Sequence, residues 1–293
     1  MREKSAPGGI REKKLIGRGS YALPSIFTAG TIFCGFYSLM KTIRAIALPP
    51  DHLGEAAAQF DLAALAIGVA VFTDGMDGRL ARLANAVSDF GRELDSLADV
   101  ITFGIAPALL AFAWGIRGVD PASGGALAEQ LNHFGYFLTF LFLVCGAARL
   151  ARFNVQRNPV PKNPGRVGRK YFVGLPIPCG AGMLVAVVHA AGGYPIRNWF
   201  PWGVLWLALI GLVSFLMVCT WRYNSFKEID LLQQRSWITV VLITMAIYLI
   251  WNFSQPVLLA MASAYMASGI AIRLGGVLRR RVKHLPEPTR QTN

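Results

Sequence analysis

The sequence predicts an all-α, polytopic membrane helix bundle of about eight transmembrane helices. Three observations carry that expectation. Hydrophobic residues make up 54% of the chain and charged residues only 15%, and the mean hydropathy is positive, a balance too apolar for a soluble domain of this size. The apolar residues fall in runs of about twenty, the length that crosses the hydrocarbon core of a bilayer. The basic residues gather in alternate connections, the asymmetry by which polytopic membrane proteins set their orientation.

The candidate spans lie at roughly 23–46, 58–84, 88–115, 132–154, 171–192, 199–221, 235–253 and 255–277. Residues 1–22 are polar and basic, without the short apolar core and cleavage site of a signal peptide. The second and third spans are joined by a short polar connection near Asn85–Ser88. Between the fourth and fifth, Pro159–Gly168 combines Pro, Gly and basic residues and reads as a loop near the mouth of a site. Trp199, Trp202 and Trp221 stand at span ends, where an amphipathic ring anchors at the interface. Asn252 to Pro256 is a turn-like stretch that suits a tight hairpin between the last two helices. The organisation expected is a basic segment over 1–22, one transmembrane domain over 23–277 with its last two helices as an extension, and a basic tail over 278–293.

A formal charge of +13 raises the question of nucleic acid. Its placement answers against it. With both termini on one side, that side collects the N-terminal tail, Arg79, Arg82 and Arg92, the segment from Arg149 to Lys170, the 222–235 loop and Arg279-Arg280-Arg281. The other side keeps little beyond Lys41, Arg44, Arg117 and Arg197. The charge is thereby a topological signal that puts both termini in the cytoplasm, and the basic tails favour anionic lipid headgroups. Cys34, Cys145, Cys179 and Cys219 lie within spans at no metal-like spacing and read as small buried hydrophobes.

Against this background four carboxylates stand out. Asp74 and Asp77 sit near the end of the second span, Asp95 and Asp99 early in the third. A charged carboxylate at membrane depth costs at least about 2.5–3.5 kcal/mol, so four together call for a compensating cation. With the turn taken near residue 86, Asp77 and Asp95 are each nine residues away, and Asp74 and Asp99 are twelve and thirteen. At the α-helical rise these pairs match in depth, roughly 14 Å and 18–20 Å from the turn. The i,i+3 and i,i+4 spacings put both acids of each helix on one face. An all-carboxylate set suits a hard ion such as Mg²⁺ or Mn²⁺. Gly75, Gly78, Ala81 and Gly91 remove bulk beside the acids, which permits close approach of a helix or a ligand. Arg82 stands one to two turns from Asp77, placed for a phosphate or an acid. Asp61, near the far end of the second span, reads as an interfacial or packing residue.

These residues resemble the CDP-alcohol phosphotransferase family, whose motif D-x2-D-G-x2-A-R-x8-G-x3-D-x3-D the chain matches at every fixed position from Asp74 to Asp99. Within that family the chain is most similar to the integral-membrane phosphatidylserine synthases. The supports are Leu23-Pro24 through Cys34-Gly35-Phe36, Ala148 to Asn154, Phe172 to Pro178 and Tyr223 to Lys227. The resemblance implies a six-helix core that binds a CDP-linked donor, CDP-diacylglycerol, and transfers its phosphatidyl group to the L-serine hydroxyl with release of CMP. It implies one or two Mg²⁺ or Mn²⁺ ions on Asp74, Asp77, Asp95 and Asp99, with Asp99 as the general base. Donor contacts fall to Asp74, Gly78, Ala81, Arg82 and Gly91. A homodimer in a bacterial-type inner membrane, with a cytoplasmic active site, is implied as well.

Serine brings a carboxylate that needs a cation, and Arg149 and Arg152 are the candidates for it or for a lipid phosphate. Glycerol 3-phosphate, inositol phosphate and choline are alternative acceptors. A cation-coupled transporter would also place acids in the membrane, but transporters favour repeats in matched halves, and here all four acids lie on one hairpin.

Overall fold

A computed structural model of the chain describes residues 22–83, 89–155, 171–224 and 236–283. Its helices are α1 (Ala22–Ala47), α2 (Leu53–Leu83), α3 (Asp89–Asp99), α4 (Ala106–Phe112), α5 (Ala128–Val155), α6 (Ile177–Ala190), α7 (Val204–Val218), α8 (Ser236–Asn252) and α9 (Ser254–Lys283). Among the described residues six stretches are long and apolar enough to cross a membrane: Ile26–Ala47, Leu53–Gly75, Phe90–Arg117, Pro121–Val155, Trp199–Val218 and Ser254–Arg273. The protein is therefore an integral membrane helix bundle. The connection near 84–88, the loop over 156–170, the 225–235 loop and both tails lie outside the described residues.

The third span is one continuous rod with two wide turns, π-helical over Val100–Ile105 and Ala113–Arg117, on either side of α4. Pro107 supplies a reason for the first. It has no N–H for the Phe103 carbonyl, and its ring crowds that carbonyl, so the turn before it opens. The wide turn begins immediately after Asp99 and carries Thr102 toward α1. There the buried Thr102 hydroxyl donates to the Thr31 carbonyl at 3.0 Å. Gly35 makes the approach possible, since a Cβ at that position would lie 2.5 Å from Thr102 Oγ1.

The expected fifth span, 171–192, divides. Tyr171–Val173 form a strand, β1, that pairs antiparallel with β2 (Arg222–Asn224), Tyr171 opposite Asn224 and Val173 opposite Arg222. Gly174 then turns the chain at φ +77°, a conformation that favours glycine. The Gly174 and Leu175 amides donate to the Trp221 and Leu216 carbonyls at 2.8 and 2.9 Å. Only then does the 14-residue α6 begin. Pro176 and Pro178, which lack an N–H, fit its start. Apart from this short ladder the architecture is all-α.

The core is built around Trp114 and Trp206, packed edge to face at 4.9 Å. Each indole N–H donates to a buried carbonyl at 3.1 Å, Trp114 to Gly193 and Trp206 to Ala111. Gly115 lies flat under the Trp206 ring, with no room for a Cβ. Gly115→Ala is expected to lower the detergent-solubilised melting temperature, at a cost of about 1–3 kcal/mol for overpacking. An unchanged melting curve would show that the indole moves freely.

At the end of the chain, α8 and α9 are separated only by Phe253, and i→i−4 bonding runs up to that residue and on from it, the Val257 amide donating to the Phe253 carbonyl at 3.1 Å. The Phe253 amide donates to the Leu249 carbonyl at 2.8 Å. α9 packs along α6 and over β2, where Gly269 lies against the Tyr223 ring.

A carboxylate cluster as the candidate active site

Asp74 lies about two and a half turns before the end of α2, and Asp95 and Asp99 lie one turn apart on α3. One carboxylate oxygen from each lies within 4.8 Å of the other two. The helical rise explains this meeting, because residues equidistant from the α2–α3 connection reach the same depth. Asp77, Gly78, Ala81 and Arg82 ride the last turns of α2, and their side chains lie outside the described residues. Gly91 occupies the first turn of α3. Beside Asp74, Gly75 faces open space, with nothing within 4 Å of where its Cβ would be.

Asp99 Oδ1 is buried, and among the described residues no donor reaches it. A buried carboxylate oxygen left without a partner is strongly unfavourable. Three converging carboxylates, with a partnerless oxygen on Asp99, fit a hard divalent cation, and the set contains no soft donor that would favour a thiolate-seeking metal. The cluster thus has the composition and spacing of a divalent-cation site.

A cation is already near. Arg149 on α5 is 8% exposed and stands within electrostatic reach of Asp99, Cys179, Tyr265 and Arg152. Its Nε has no hydrogen-bond partner among the described residues. Arg152, one turn further along α5, is engaged differently. Its Nη1 donates to the Val218 carbonyl at 3.1 Å and its Nη2 to the Val173 carbonyl at 3.3 Å. It therefore ties the end of α7 to the β ladder. Asn154 Nδ2 donates to Ser96 Oγ at 2.9 Å, which fastens α5 to α3 beside Asp95.

Two neighbours of this site carry no sequence signal. Cys179, read as a small buried hydrophobe, is hydrogen-bonded to the Tyr265 hydroxyl, and both stand within electrostatic reach of Arg149. Tyr265 comes from α9, and its ring packs 5.7 Å from that of Tyr223. Neither a motif nor a spacing connects residues so distant in the chain. Asp61, expected as an interfacial or packing residue, meets His189 at 2.6 Å, and His189 in turn meets Ser254 at 2.9 Å.

A family model described as CDP-alcohol phosphatidyltransferase matches residues 21–204. Several curated proteins are similar over most of the chain, each named CDP-diacylglycerol–serine O-phosphatidyltransferase. The one from Helicobacter pylori is 33% identical over 236 residues, 80% of this chain and 83% of that protein. The one from Saccharomyces cerevisiae is 35% identical over 201 residues, covering 67% and 66%. The one from Bacillus subtilis is 31% identical over 208 residues, covering 70% and 92%.

Proposed function

The chain belongs to the CDP-alcohol phosphatidyltransferase family, and from that membership we infer that it is a phosphatidylserine synthase. It transfers the phosphatidyl group of CDP-diacylglycerol to the L-serine hydroxyl and releases CMP. The observation that carries this reading is the convergence of Asp74, Asp95 and Asp99 in a chain whose relatives bear that name across bacteria, yeast and an archaeon.

In this proposal the carboxylates Asp74, Asp77 and Asp95 would be the main ligands of Mg²⁺ or Mn²⁺, with Asp99 in the same cluster. A bound cation would offset the donor's pyrophosphate charge and the charge that develops on the departing CMP. Gly78, Ala81 and Gly91 let the nucleotide approach the backbone, and Arg82 is the candidate partner of its phosphates. Asp99 accepts the proton of the serine hydroxyl, which is a poor nucleophile at neutral pH until it is positioned and deprotonated. The serine oxygen then bonds to the β-phosphorus while the bond from that phosphorus to the bridging oxygen breaks, and CMP carries away the electron pair.

The two arginines divide the remaining work. Arg149, buried and with an uncommitted Nε, meets the serine carboxylate, where a planar fork matches a planar anion. Arg152 holds the floor of the site through the carbonyls it binds. Arg149→Lys is expected to raise the KM for L-serine by about tenfold, since an ammonium offers no bidentate geometry. The KM for CDP-diacylglycerol should stay within about twofold. Equal shifts in both would take Arg149 out of the acceptor site.

The positive-inside pattern supports an active site and both termini on the cytoplasmic face of a bacterial-type inner membrane. Residues 23–277 then form the catalytic domain, flanked by basic segments 1–22 and 278–293 that favour anionic lipid, and the working unit is a homodimer. The decisive assay is CMP release from CDP-diacylglycerol by purified protein with Mn²⁺ or Mg²⁺, comparing L-serine with glycerol 3-phosphate, inositol phosphate and choline. Release with lipid product only with serine is expected. Another acceptor winning would overturn the serine assignment and keep the reaction class.

A further inference from the structure

The end of the third span away from the carboxylate cluster holds a half-polar pocket of about 530 Å³. Arg117, where that span stops, lies roughly 27 Å beyond Asp99 at the helical rise. That distance approaches the thickness of the hydrocarbon core, so the pocket stands at the level of the lipid headgroups on the opposite face. Its walls come from the end of the third span, the stretch Pro121–Leu127, the first turns of α5 and Trp199.

The backbone keeps this pocket open. Gly125 adopts φ +53° and ψ −138°, a conformation that favours glycine, and a Cβ there would find nothing within 4 Å. Gly124, beside it, lies under the Trp199 ring, where a Cβ would come within 2.6 Å of the indole. Trp199 is thereby seated in the wall, 2% exposed, its backbone N–H donating to Ser123 Oγ at 2.9 Å. Its indole N–H meets no acceptor among the described residues. The buried indoles of Trp114 and Trp206 both have one, and an unmatched buried donor is unfavourable.

Charged groups of both signs share the wall. Arg117 donates through Nη1 to the Ile46 carbonyl at 3.4 Å, and its other N–H groups have no partner among the described residues. Glu129 and Asn132 stand i,i+3 on one face of α5. Glu129 lies 3.7 Å from His133, beyond hydrogen-bond reach, and the Asn132 amide has no partner among the described residues. The pocket thus offers donors to a phosphate and a carboxylate to an ammonium. Trp199 is the one aromatic residue lining it, short of the cage that a quaternary ammonium calls for.

We propose that this pocket binds the headgroup of a zwitterionic phospholipid bearing a primary ammonium, with its phosphate on Arg117 and the Trp199 N–H and its ammonium on Glu129. Such a lipid links the third span to α5 and, through Arg117, to the end of α1, so it braces the bundle on the face away from the carboxylates. The inference is independent of the reaction assigned to the protein.

The test titrates delipidated protein in detergent micelles with didodecanoyl phosphatidylethanolamine, phosphatidylcholine and phosphatidylglycerol, reading bound lipid by native mass spectrometry and stability by melting temperature. The ethanolamine lipid should bind at least about tenfold tighter than the other two, the share of one charge-assisted hydrogen bond, and should raise the melting temperature most. Arg117→Gln should weaken all three lipids. Glu129→Gln should weaken the ethanolamine lipid alone, bringing it within about twofold of phosphatidylglycerol. Both side chains are exposed, so both variants should melt as the unmodified protein does before lipid is added, and the lipid-induced rise is read from that baseline. Equal binding of the three lipids by the unmodified protein, or unchanged selectivity in Glu129→Gln, would overturn the proposal. Glycerophosphoethanolamine binding as tightly as the lipid would assign the pocket to a soluble phosphodiester and overturn the lipid assignment.

Discussion

Asp99→Asn is expected to lower turnover by about 10²–10⁴-fold, the range a general base contributes, while CDP-diacylglycerol binding stays nearly unchanged. Asparagine keeps the size of the side chain and one carbonyl oxygen but cannot accept the serine proton. The geometry separates this residue from its neighbours. Asp99 has a buried oxygen without a donor among the described residues, it borders the wide turn Val100–Ile105, and Arg149 lies within electrostatic reach. A base in that position belongs to the carboxylate cluster and stands within electrostatic reach of the residue assigned to the acceptor. The measurement pairs CMP release with calorimetric titration of Mn²⁺ and donor into wild type and variant. Loss of cation binding as severe as that in an Asp77→Asn variant would remove the distinction between base and ligand.

Removal of the divalent cation is the second large effect. Excess chelator should abolish CMP release, and Mn²⁺ or Mg²⁺ should restore it. In Asp74→Asn and Asp95→Asn the cation concentration for half-maximal rate should rise by at least about tenfold, since each change takes a formal charge from a three-carboxylate cluster. The physical reason is mutual dependence. The carboxylates repel one another without a cation, and the donor's pyrophosphate adds further negative charge when it binds. Full activity in the presence of excess chelator would show that Arg149 and Arg82 alone meet the charge, and the cluster would lose its proposed role.

These expectations draw on information held at different ranges along the chain. The membrane bundle was legible because span length and apolar composition answer to one constant, the thickness of the hydrocarbon core. The meeting of Asp74 with Asp99 was legible because the helical rise is fixed, so counting from a short connection gives depth. The break between α8 and α9 at Phe253 followed from local turn chemistry around Asn252 and Pro256.

Other features depended on partners far away. The expected fifth span became a strand, a glycine turn and a 14-residue helix because Tyr171–Val173 pair with Arg222–Asn224, and apolar content alone does not register that pairing. Arg149 and Arg152 looked equivalent at the end of one helix. They share a face but differ because the second lies one turn, about 4.5 Å, nearer the end of α5, so one meets a buried cluster and the other the carbonyls of Val173 and Val218. His189 joins residues 128 and 65 positions away, and no spacing rule reaches that far.

The sequence by itself therefore determined the membrane class, the reaction family and the depth of the acidic residues, since each depends on a repeating local constant. Only the tertiary structure decided which side chains surround those acids. That depends on how helices rotate and cross, and side-chain packing between distant segments sets it, not any period within one segment.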